Sequence, residues 1–339
     1  MSRLRFKIAG LPLLVASTCA FAFGPPGHEE IGAIADKILA QDNPKVYKKI
    51  QATLGTTLEQ AAVWMDCAKN VQISKGAFKY VKSPKYPSPE CKPFETEEGK
   101  RHFEDYVERN WDGCDEKKEC HKDYHYTDIS IQHTDYNSNY VGAHQYDILN
   151  AVNAAVAKLR RQSVNEPFSI KTKQEAVLML AHFVGDIHQP LHVGSVYLDK
   201  NGTVVNGLLN GEYDPSTFTQ GGNLIRVNAS GKLHAEWDHI PPNLKANTTQ
   251  NIIAAAVDVP PTKGDVGGWA QSWAEETLGV SAKVFAWMNF VGIENNKDFK
   301  WQANFEDRKK YLVMYKQVEQ EQIVKAGARL AAMLTELYK

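Results

Sequence analysis

The segment QEAVLMLAHFVGDIHQPLH, residues 174–192, decides the fold. Its apolar residues recur every three or four positions from Gln174 to Ile187, which predicts a helix with a buried face. Pro190 cannot continue that helix, so the helix should end just before it. Strand-like alternation is confined to short pieces such as residues 224–227. The sequence therefore predicts an all-α fold, with further helices at Ile31–Leu39, Asp147–Leu159, Trp269–Val291 and Tyr311–Leu337.

Three loop-rich stretches separate these helices: Ser83–Pro93, Gly194–Asn223 and Val259–Gly268. Their content of proline, glycine and asparagine is typical of irregular surface structure. None of them resembles a long flexible linker, and histidines lie on both sides of each one. We therefore expect one domain, residues 23–339, with inserted surface loops.

Polar side chains interrupt the apolar pattern of the deciding segment. His182 and Asp186 are four residues apart and would share one helix face, and His192 follows just beyond the helix end. A metal site is the natural use of these groups, and buried, hydrogen-bonded histidines are the alternative. His234 and Asp238 repeat the four-residue spacing. A single pair of this kind is often an ordinary helix-surface contact, but two pairs indicate more than one metal ion.

The first 22 residues have the pattern of a secretory signal peptide. A basic start and an apolar run are followed by Ala20 and Ala22, which fit positions −3 and −1 of a cleavage site. A lipid-modified Cys19 is the alternative, and the residues around it favour it less. Cleavage after Ala22 would start the mature chain at Phe23 and would make the protein secreted or periplasmic.

The charge of the mature chain excludes one class of function. The whole sequence has 39 Lys and Arg residues against 40 Asp and Glu, and the signal peptide contains three of the basic residues, so 36 remain and the net charge becomes −4. A protein that binds duplex nucleic acid without specificity needs a basic surface that neutralises many phosphates. Any phosphate chemistry must therefore take place at a local site.

Four cysteines remain after cleavage, an even number that is typical of disulfides in an oxidising compartment. Cys114 and Cys120 are six residues apart, which favours a local bridge and leaves Cys67 to pair with Cys91. The alternative of thiolate zinc ligands lacks the usual CxxC spacing.

The start of the mature chain offers another metal ligand. It reads Phe23-Gly24-Pro25-Pro26-Gly27-His28. A free α-amino group has a pKa near 8, so a metal ion can displace its proton and bind the amine beside His28. The alternative is a capping loop before the first helix, with His28 merely near its first turn.

Several motifs occur together in one order along nearly the whole mature chain. In that order and spacing the sequence resembles the zinc-dependent class I single-strand nucleases and 3'-nucleotidases (the S-one/P-one nucleases), which are relatives of bacterial zinc-dependent phospholipase C. The motifs are the aromatic-Gly-x-x-Gly-His start at Phe23, Trp64-Met65-Asp66, Tyr124-His125-Tyr126-Thr127-Asp128, the run His182–His192, Gly221-Gly222-Asn223, and Leu233-His234 through Trp237-Asp238.

This resemblance implies a catalytic cluster of three zinc ions. Nitrogen and oxygen ligands without thiolate are typical of catalytic zinc. The family has tryptophan where this chain has Phe23, a change that leaves ligation by backbone atoms possible. The implied ligands are Asp66, His125, His182 and Asp186 for one ion; His192, His234 and Asp238 for a second; and His28, Asp186 and the amine and carbonyl of Phe23 for a third.

The resemblance also implies roles in catalysis and in substrate binding. Asp186 would be shared by two ions where the attacking water is activated, Lys69 would offset phosphate charge, and Asn223 would donate to the phosphate. Tyr126 would stack on a base and Asp128 would accept hydrogen bonds from its edge. An exposed lysine, a core tyrosine and a turn asparagine are the alternatives for Lys69, Tyr126 and Asn223.

The expected function is hydrolysis of single-stranded DNA and RNA to 5'-mononucleotides, with 3'-nucleotidase activity, by a monomer that has no membrane anchor and no stable protein partner. The rivals are a phospholipase C, which would share nearly every ligand, and a non-catalytic protein held together by structural metal. Asp238, where the phospholipases carry glutamate, argues against the first rival. The remaining histidines are expected outside the ligand set, and His188 and His239 are near enough in sequence to hydrogen-bond to ligands.

Overall fold

The structure is a computed structural model that describes residues 23–82, 89–115, 118–205, 213–229, 231–240, 250–294 and 296–339. The predicted signal peptide, residues 1–22, lies outside the described residues. Most of the described chain is helical, which confirms the predicted fold class. No described helix is long and apolar enough to cross a membrane.

The helices and strands follow one another in an order that alternates long helices with short connecting pieces. The α-helices are α1 Gly24–Asp42, α2 Pro44–Leu54, α3 Leu58–Ala61, α4 Trp64–Ala68, α5 Glu97–Arg109, α6 Ile148–Leu159, α7 Lys173–His188, α8 Pro190–Val193, α9 Leu233–Trp237, α10 Gln250–Val257, α11 Trp269–Phe285 and α12 Arg308–Tyr338. The strands are β1 Val71–Ser74, β2 Ala77–Tyr80, β3 Ile129–Ser130, β4 Gly194–Ser195, β5 Ile225–Arg226, β6 Met288–Gly292 and β7 Trp301–Phe305.

Helix α7 lies at the centre of the fold and is buried from Glu175 to its end. The Thr172 hydroxyl accepts a hydrogen bond from the Glu175 amide and caps its start, and Pro190 opens the next short helix. Helices α1, α6, α11 and α12 all pack against α7. A helix that is buried on every side is apolar all round, so the polar residues on it need a specific reason to be there.

Helix α1 is held in place by a close approach to α12. A Cβ atom at Gly327 of α12 would lie 2.5 Å from Ile34 Cγ2 on α1, so only glycine fits there. This packing fixes the axis of α1 and with it the position of His28 near its first turn.

The strands form small sheets, and one of them corrects a predicted helix. The helix predicted from Trp269 to Val291 ends at Phe285, and the chain continues as β6. β6 pairs antiparallel with β7, with Met288 opposite Phe305, and β5 lies parallel to β7 on its other edge. The prediction through Val291 was wrong because alternate apolar residues of β6 fit a helical spacing as well as a strand.

Both predicted disulfides are present. Cys67 on α4 is bonded to Cys91, and Cys114 is bonded to Cys120, with Cα–Cα distances of 5.6 and 5.3 Å. Cys120 begins a short 3-10 helix, Cys120–His125, that ends at a predicted metal ligand. The second bridge therefore fixes the start of the segment that presents His125.

Candidate metal centre

Asp186 lies at the centre of a cluster of imidazole rings and is fully buried on α7. Its Oδ2 atom is 3.0 Å from His125 Nδ1 and 3.1 Å from His182 Nε2. Its Oδ1 atom is 3.2 Å from His28 Nε2. Because both oxygens have ring nitrogens beside them, this carboxylate can be shared between two metal ions.

Asp66 joins the same cluster from α4. Its Oδ1 atom is 3.6 Å from His182 Nε2 and 3.9 Å from His125 Nδ1. Lys69, one turn further along, places its Nζ atom 2.8 Å from the same oxygen. Burial opposes ionisation of Asp66, but the charges of Lys69 and the neighbouring histidines outweigh it and lower the pKa of this carboxyl group.

A second group is formed by His192, His234 and Asp238, whose ligand atoms lie within 4.8 Å of one another. His192 connects it to the first group, because its Nδ1 atom is 3.9 Å from Asp186 Oδ1. Burial raises the pKa of Asp238 well above its usual range, although Gln189 donates a hydrogen bond to it over 3.3 Å. A bound cation would reverse that shift and keep Asp238 ionised.

Backbone carbonyls hold three of the rings in one tautomer. In each ring Nδ1 donates to a carbonyl oxygen, which leaves the lone pair on Nε2 for a metal ion. The donors and acceptors are His182 to Ala62 at 2.6 Å, His192 to His125 at 2.7 Å, and His234 to Gly221 at 2.7 Å.

Three of the rings, His125, His192 and His234, are neutral near pH 7, which is the form that binds metal. Burial of His182 is instead outweighed by the charges of Asp186 and Asp66, which raise the pKa of that ring. Burial, with the charge of neighbouring His192, lowers the pKa of His234 to about 3. Burial also lowers the pKa of His192, and it lowers the pKa of His125 to well below its usual value. No proton therefore has to be removed from these three imidazoles before a cation can bind.

Several buried polar atoms of these residues have no hydrogen-bond partner in the described part of the chain. An unsatisfied buried group costs about 1–3 kcal/mol, so such a concentration of them needs a reason. A set of bound cations supplies that reason, and the nitrogen and oxygen donors therefore fit a metal centre. The atoms are both ring nitrogens of His28, Asp66 Oδ2, Asp186 Oδ1, His192 Nε2 and Asp238 Oδ2.

Two glycines make room for the ligands. A Cβ atom at Gly185 would lie 3.0 Å from His28 Nδ1, so this glycine lets the His28 ring approach α7. Gly221 has a φ angle of +54°, and a Cβ atom there would lie 2.6 Å from the carbonyl oxygen of Leu191. The left-handed conformation that Gly221 adopts brings its own carbonyl to His234.

The structure places His28 close to its expected partner Asp186 and also to two residues that were expected at another ion. The resemblance pairs His28 with Asp186, and the two are 3.2 Å apart. The ligand atoms of His28, Asp66 and His182 also lie within 4.8 Å of one another. Phe23 immediately precedes α1, and its side chain is fully buried in the main core. The ring at the position of the family tryptophan is therefore packed against core residues.

A cleft of about 400 Å³ opens over these groups. The four residues that were predicted to contact substrate, other than Asp186, all line this cleft. Three further lining residues, Lys122, Phe218 and Gln220, were not identified by the sequence analysis. The lining residues are Lys69, Lys122, His125, Tyr126, Asp128, Leu191, His192, Phe218, Gln220, Gly221, Asn223 and His234.

Comparison with known proteins identifies the family of this chain. The sequence model of the S1/P1 nuclease family matches residues 23–339. The chain belongs to the S1/P1 nuclease family. A curated relative, Endonuclease 1 of Arabidopsis thaliana, is 26% identical in an alignment of 184 positions that covers 48% of this chain and 50% of that protein. The chain thus spans about half the length of this relative. The match confirms the resemblance drawn from the motifs.

The predicted substrate residues of this chain are held by their neighbours. The Tyr126 hydroxyl donates to Asp123 Oδ1 over 2.6 Å, and the ring is partly exposed in the cleft. The Tyr197 hydroxyl donates to the carbonyl oxygen of Asp128 over 2.8 Å. Asp123 and Tyr197 were missed by the sequence analysis. For Asp123 the three-residue spacing to Tyr126 was an available signal, since Asp123 lies on the 3-10 helix that ends just before Tyr126.

The other histidines of the chain contact groups outside the predicted ligand set. His188 donates from Nδ1 to the Val184 carbonyl and accepts from Arg329, and His239 donates to the Ala235 carbonyl. The remaining four are His102, 3.3 Å from Glu175 Oε1, and His121, His133 and His144, which stack on Trp111, Tyr140 and Tyr146.

Proposed function

We propose that this S1/P1 nuclease is a zinc-dependent phosphodiesterase that hydrolyses single-stranded DNA and RNA to 5'-mononucleotides and removes phosphate from 3'-nucleotides. One observation carries the proposal. Two His/Asp groups, connected through Asp186, supply histidines to the wall of the same cleft that holds Tyr126 and Asp128. A hydrolytic centre and a surface for an unpaired base are thus next to each other.

The chain's own residues would hold three zinc ions. When bound, the ions would supply Lewis acidity to water and to phosphoryl oxygens. The third site includes the α-amino group of Phe23, which becomes available only if the signal peptide is cleaved after Ala22. The proposed ligands are Asp66, His125, His182 and Asp186; then His192, His234 and Asp238; and then His28, Asp186 and the backbone of Phe23.

Lys69 and Asn223 would bind the phosphate that is cleaved. Lys69 Nζ lies 2.8 Å from Asp66 Oδ1, so a positive charge is held directly beside the metal ligands. That charge would offset the negative charge that increases on the phosphoryl oxygens during attack. The Asn223 side chain donates to the Gln220 carbonyl over 3.0 Å, and its second N–H is available to a phosphate oxygen in the cleft.

Tyr126 and Asp128 would bind the nucleoside. Stacking on an aromatic ring tolerates every base but requires the base to be unpaired, which gives a preference for single strands without a basic surface. The hydrogen bond from Tyr126 to Asp123 fixes the plane of the ring. Asp128 is buried at the edge of the cleft, where its carboxylate would accept hydrogen bonds from amino or imino groups of the base.

The test is digestion with metal removed and restored. Purified protein would be incubated with single-stranded DNA, duplex DNA and a 3'-nucleotide, first as isolated, then after chelation, then with zinc added back. We expect zinc-restorable digestion of the first and third substrates and little of the duplex. D186N should lose at least about a thousandfold in kcat/KM, since it alters a residue shared by the metal sites, whereas D298N at the exposed Asp298 should retain activity.

Phosphatidylcholine vesicles in the same assay distinguish the phospholipase alternative. Zinc-dependent release of the phosphorylated head group, with no digestion of single-stranded DNA, would contradict the proposal. The amine ligand is tested separately by mass spectrometry of the exported chain, which should begin at Phe23. The disulfides are consistent with such export.

A further inference from the structure

Lys122 is a cation in the cleft that the proposed mechanism does not use. It lines the cleft together with Lys69 and Tyr126. Its side chain is 36% exposed, so it is positioned at the cleft surface and remains accessible to a ligand. The proposed substrate is a polyanion, so a second lysine in the cleft is expected to have a binding role of its own.

The local fold directs Lys122 into the cleft. It lies on the 3-10 helix Cys120–His125, in which residues three apart eclipse one another. Lys122 and the cleft-lining His125 are three apart, so their side chains leave the helix on the same side. The disulfide at Cys120 holds one end of this short helix, and His125 holds the other against Asp186. The backbone of Lys122 is therefore fixed, while its long side chain can still change partners.

The two lysines act on different parts of the cleft. Lys69 Nζ lies 2.8 Å from Oδ1 of Asp66, one of the proposed metal ligands. Lys122 pairs instead with Glu119, which is not in the ligand set, and it lies on the 3-10 helix that ends just before Tyr126. Lys69 is thus held at the proposed metal ligands, whereas Lys122 lines the same cleft without being held there.

The partner of Lys122 in the structure is one that a phosphate can replace. Lys122 Nζ lies 2.6 Å from Glu119 Oε1, and the Glu119 side chain is 39% exposed. Exposed pairs of this kind contribute little and are screened by salt. A terminal phosphate spreads its charge over three acceptor oxygens and a diester over two, as a carboxylate does, so either can take the place of Glu119 when substrate enters.

We propose that Lys122 binds the phosphate on the 5' side of the nucleoside that stacks on Tyr126, and so forms a subsite for the polynucleotide chain. This inference rests on the proposed function. With the base on Tyr126 and the 3' phosphate at the metal ligands, the 5' carbon is the end of that nucleoside that remains free to continue the chain. Lys122 lines the same cleft, four residues before Tyr126, and is not held at the metal ligands. Lys69 serves the phosphate that is cleaved, and Lys122 serves its neighbour.

The experiment compares two small substrates that differ by one phosphate. Zinc-loaded wild type, K122Q, K122R and K118Q would be assayed for phosphate release from thymidine 3'-phosphate and from thymidine 3',5'-bisphosphate. Lys118 is the matched control, because it lies in the same disulfide region, is exposed and pairs with Asp112 without lining the cleft. Circular dichroism and thermal melting would confirm that each variant is folded.

We expect K122Q to raise KM for the bisphosphate about tenfold, which is the low end of what one charge-assisted hydrogen bond contributes. K122Q should leave kcat/KM for the monophosphate within about twofold, K122R should restore most of the lost affinity, and K118Q should change neither substrate. On single-stranded DNA, K122Q should reduce the slope of log(kcat/KM) against log[salt] by about 0.7, the value for one phosphate contact.

Three outcomes would overturn the assignment. Equal loss on both substrates would place Lys122 at the cleaved phosphate, and no loss on either would remove it from substrate binding. If wild type hydrolyses neither compound, the proposed function fails and the subsite fails with it. The first two outcomes leave the proposed function intact, because wild type remains active in both.

Discussion

Replacing Gly185 by alanine tests how His28 reaches the metal centre. A Cβ atom at Gly185 would lie 3.0 Å from His28 Nδ1 and 3.2 Å from His28 Cε1. The His28 ring has little room to move, because it also stacks on His182 with 3.8 Å between ring centroids and 17° between planes. G185A should therefore displace the ring and weaken the binding of the ion that His28 is proposed to hold.

The size of the effect follows from two opposing contributions. Alanine is favoured over glycine inside a helix by about 1 kcal/mol, and overpacking a filled interior costs about 1–3 kcal/mol. The free energy of unfolding should therefore fall by between zero and about 2 kcal/mol. Zinc binding should respond more strongly, with an affinity about tenfold lower or more at one site, because ring orientation controls ligation.

The assay is zinc stoichiometry and chelator competition, with urea unfolding alongside. G279A is the matched control: Gly279 lies on α11, is exposed, and has nothing within 4 Å of a Cβ atom. This variant should gain helix stability and bind zinc normally. If G185A binds three zinc ions as tightly as wild type and is stabilised like G279A, the close approach of His28 to α7 does not position the ligand and the reasoning is wrong.

Three further predictions concern His188, Tyr126 and Gly327. Burial and the charge of Arg329 lower the pKa of His188 to about 3, so the unfolded chain takes up a proton below a pH of about 6.5 that the folded chain does not. The free energy of unfolding should therefore fall by up to about 1.4 kcal/mol per pH unit as the pH falls from 6.5 towards 3. H188Q should remove that contribution, and identical slopes for H188Q and wild type in urea unfolding at pH 5.5 and 4.5 would contradict it. Y126A should raise KM for 3'-nucleotides about 10–100-fold with zinc content unchanged, and Y126F should lose much less; equal losses in steady-state kinetics would exclude stacking. G327A should lower the free energy of unfolding by about 1–3 kcal/mol, and adding I34A should recover part of that loss in the same urea experiment unless the two sites are independent.

The part of the structure that depends on local spacing was predictable. Helix α7 spans Lys173–His188, within one residue of the predicted Gln174–Ile187 at each end, because a threonine cap and Pro190 mark its limits. His182 and Asp186 are one helical turn apart, so their proximity follows from helix geometry alone. That these residues bind zinc stays a prediction.

Features that depend on distant partners were not predictable. The last residues of the predicted helix Trp269–Val291 form β6 because β7, about ten residues later, supplies hydrogen-bonding partners that no local pattern reveals. Lys122 and Phe218 reach the same cleft from segments about a hundred residues apart. Their meeting follows from packing of the whole chain, and their residue types give no signal of it.

The hydrogen bonds from the imidazole rings to backbone carbonyls make the proposed metal centre depend on complete folding. Ala62, His125 and Gly221 lie 120, 67 and 13 residues along the chain from the histidines they orient. Each ring is thus aligned only after a different part of the molecule has closed around it. Zinc affinity should therefore decline in variants that loosen any of these segments while their helical content is still intact, so that metal retention reports on assembly of the whole chain.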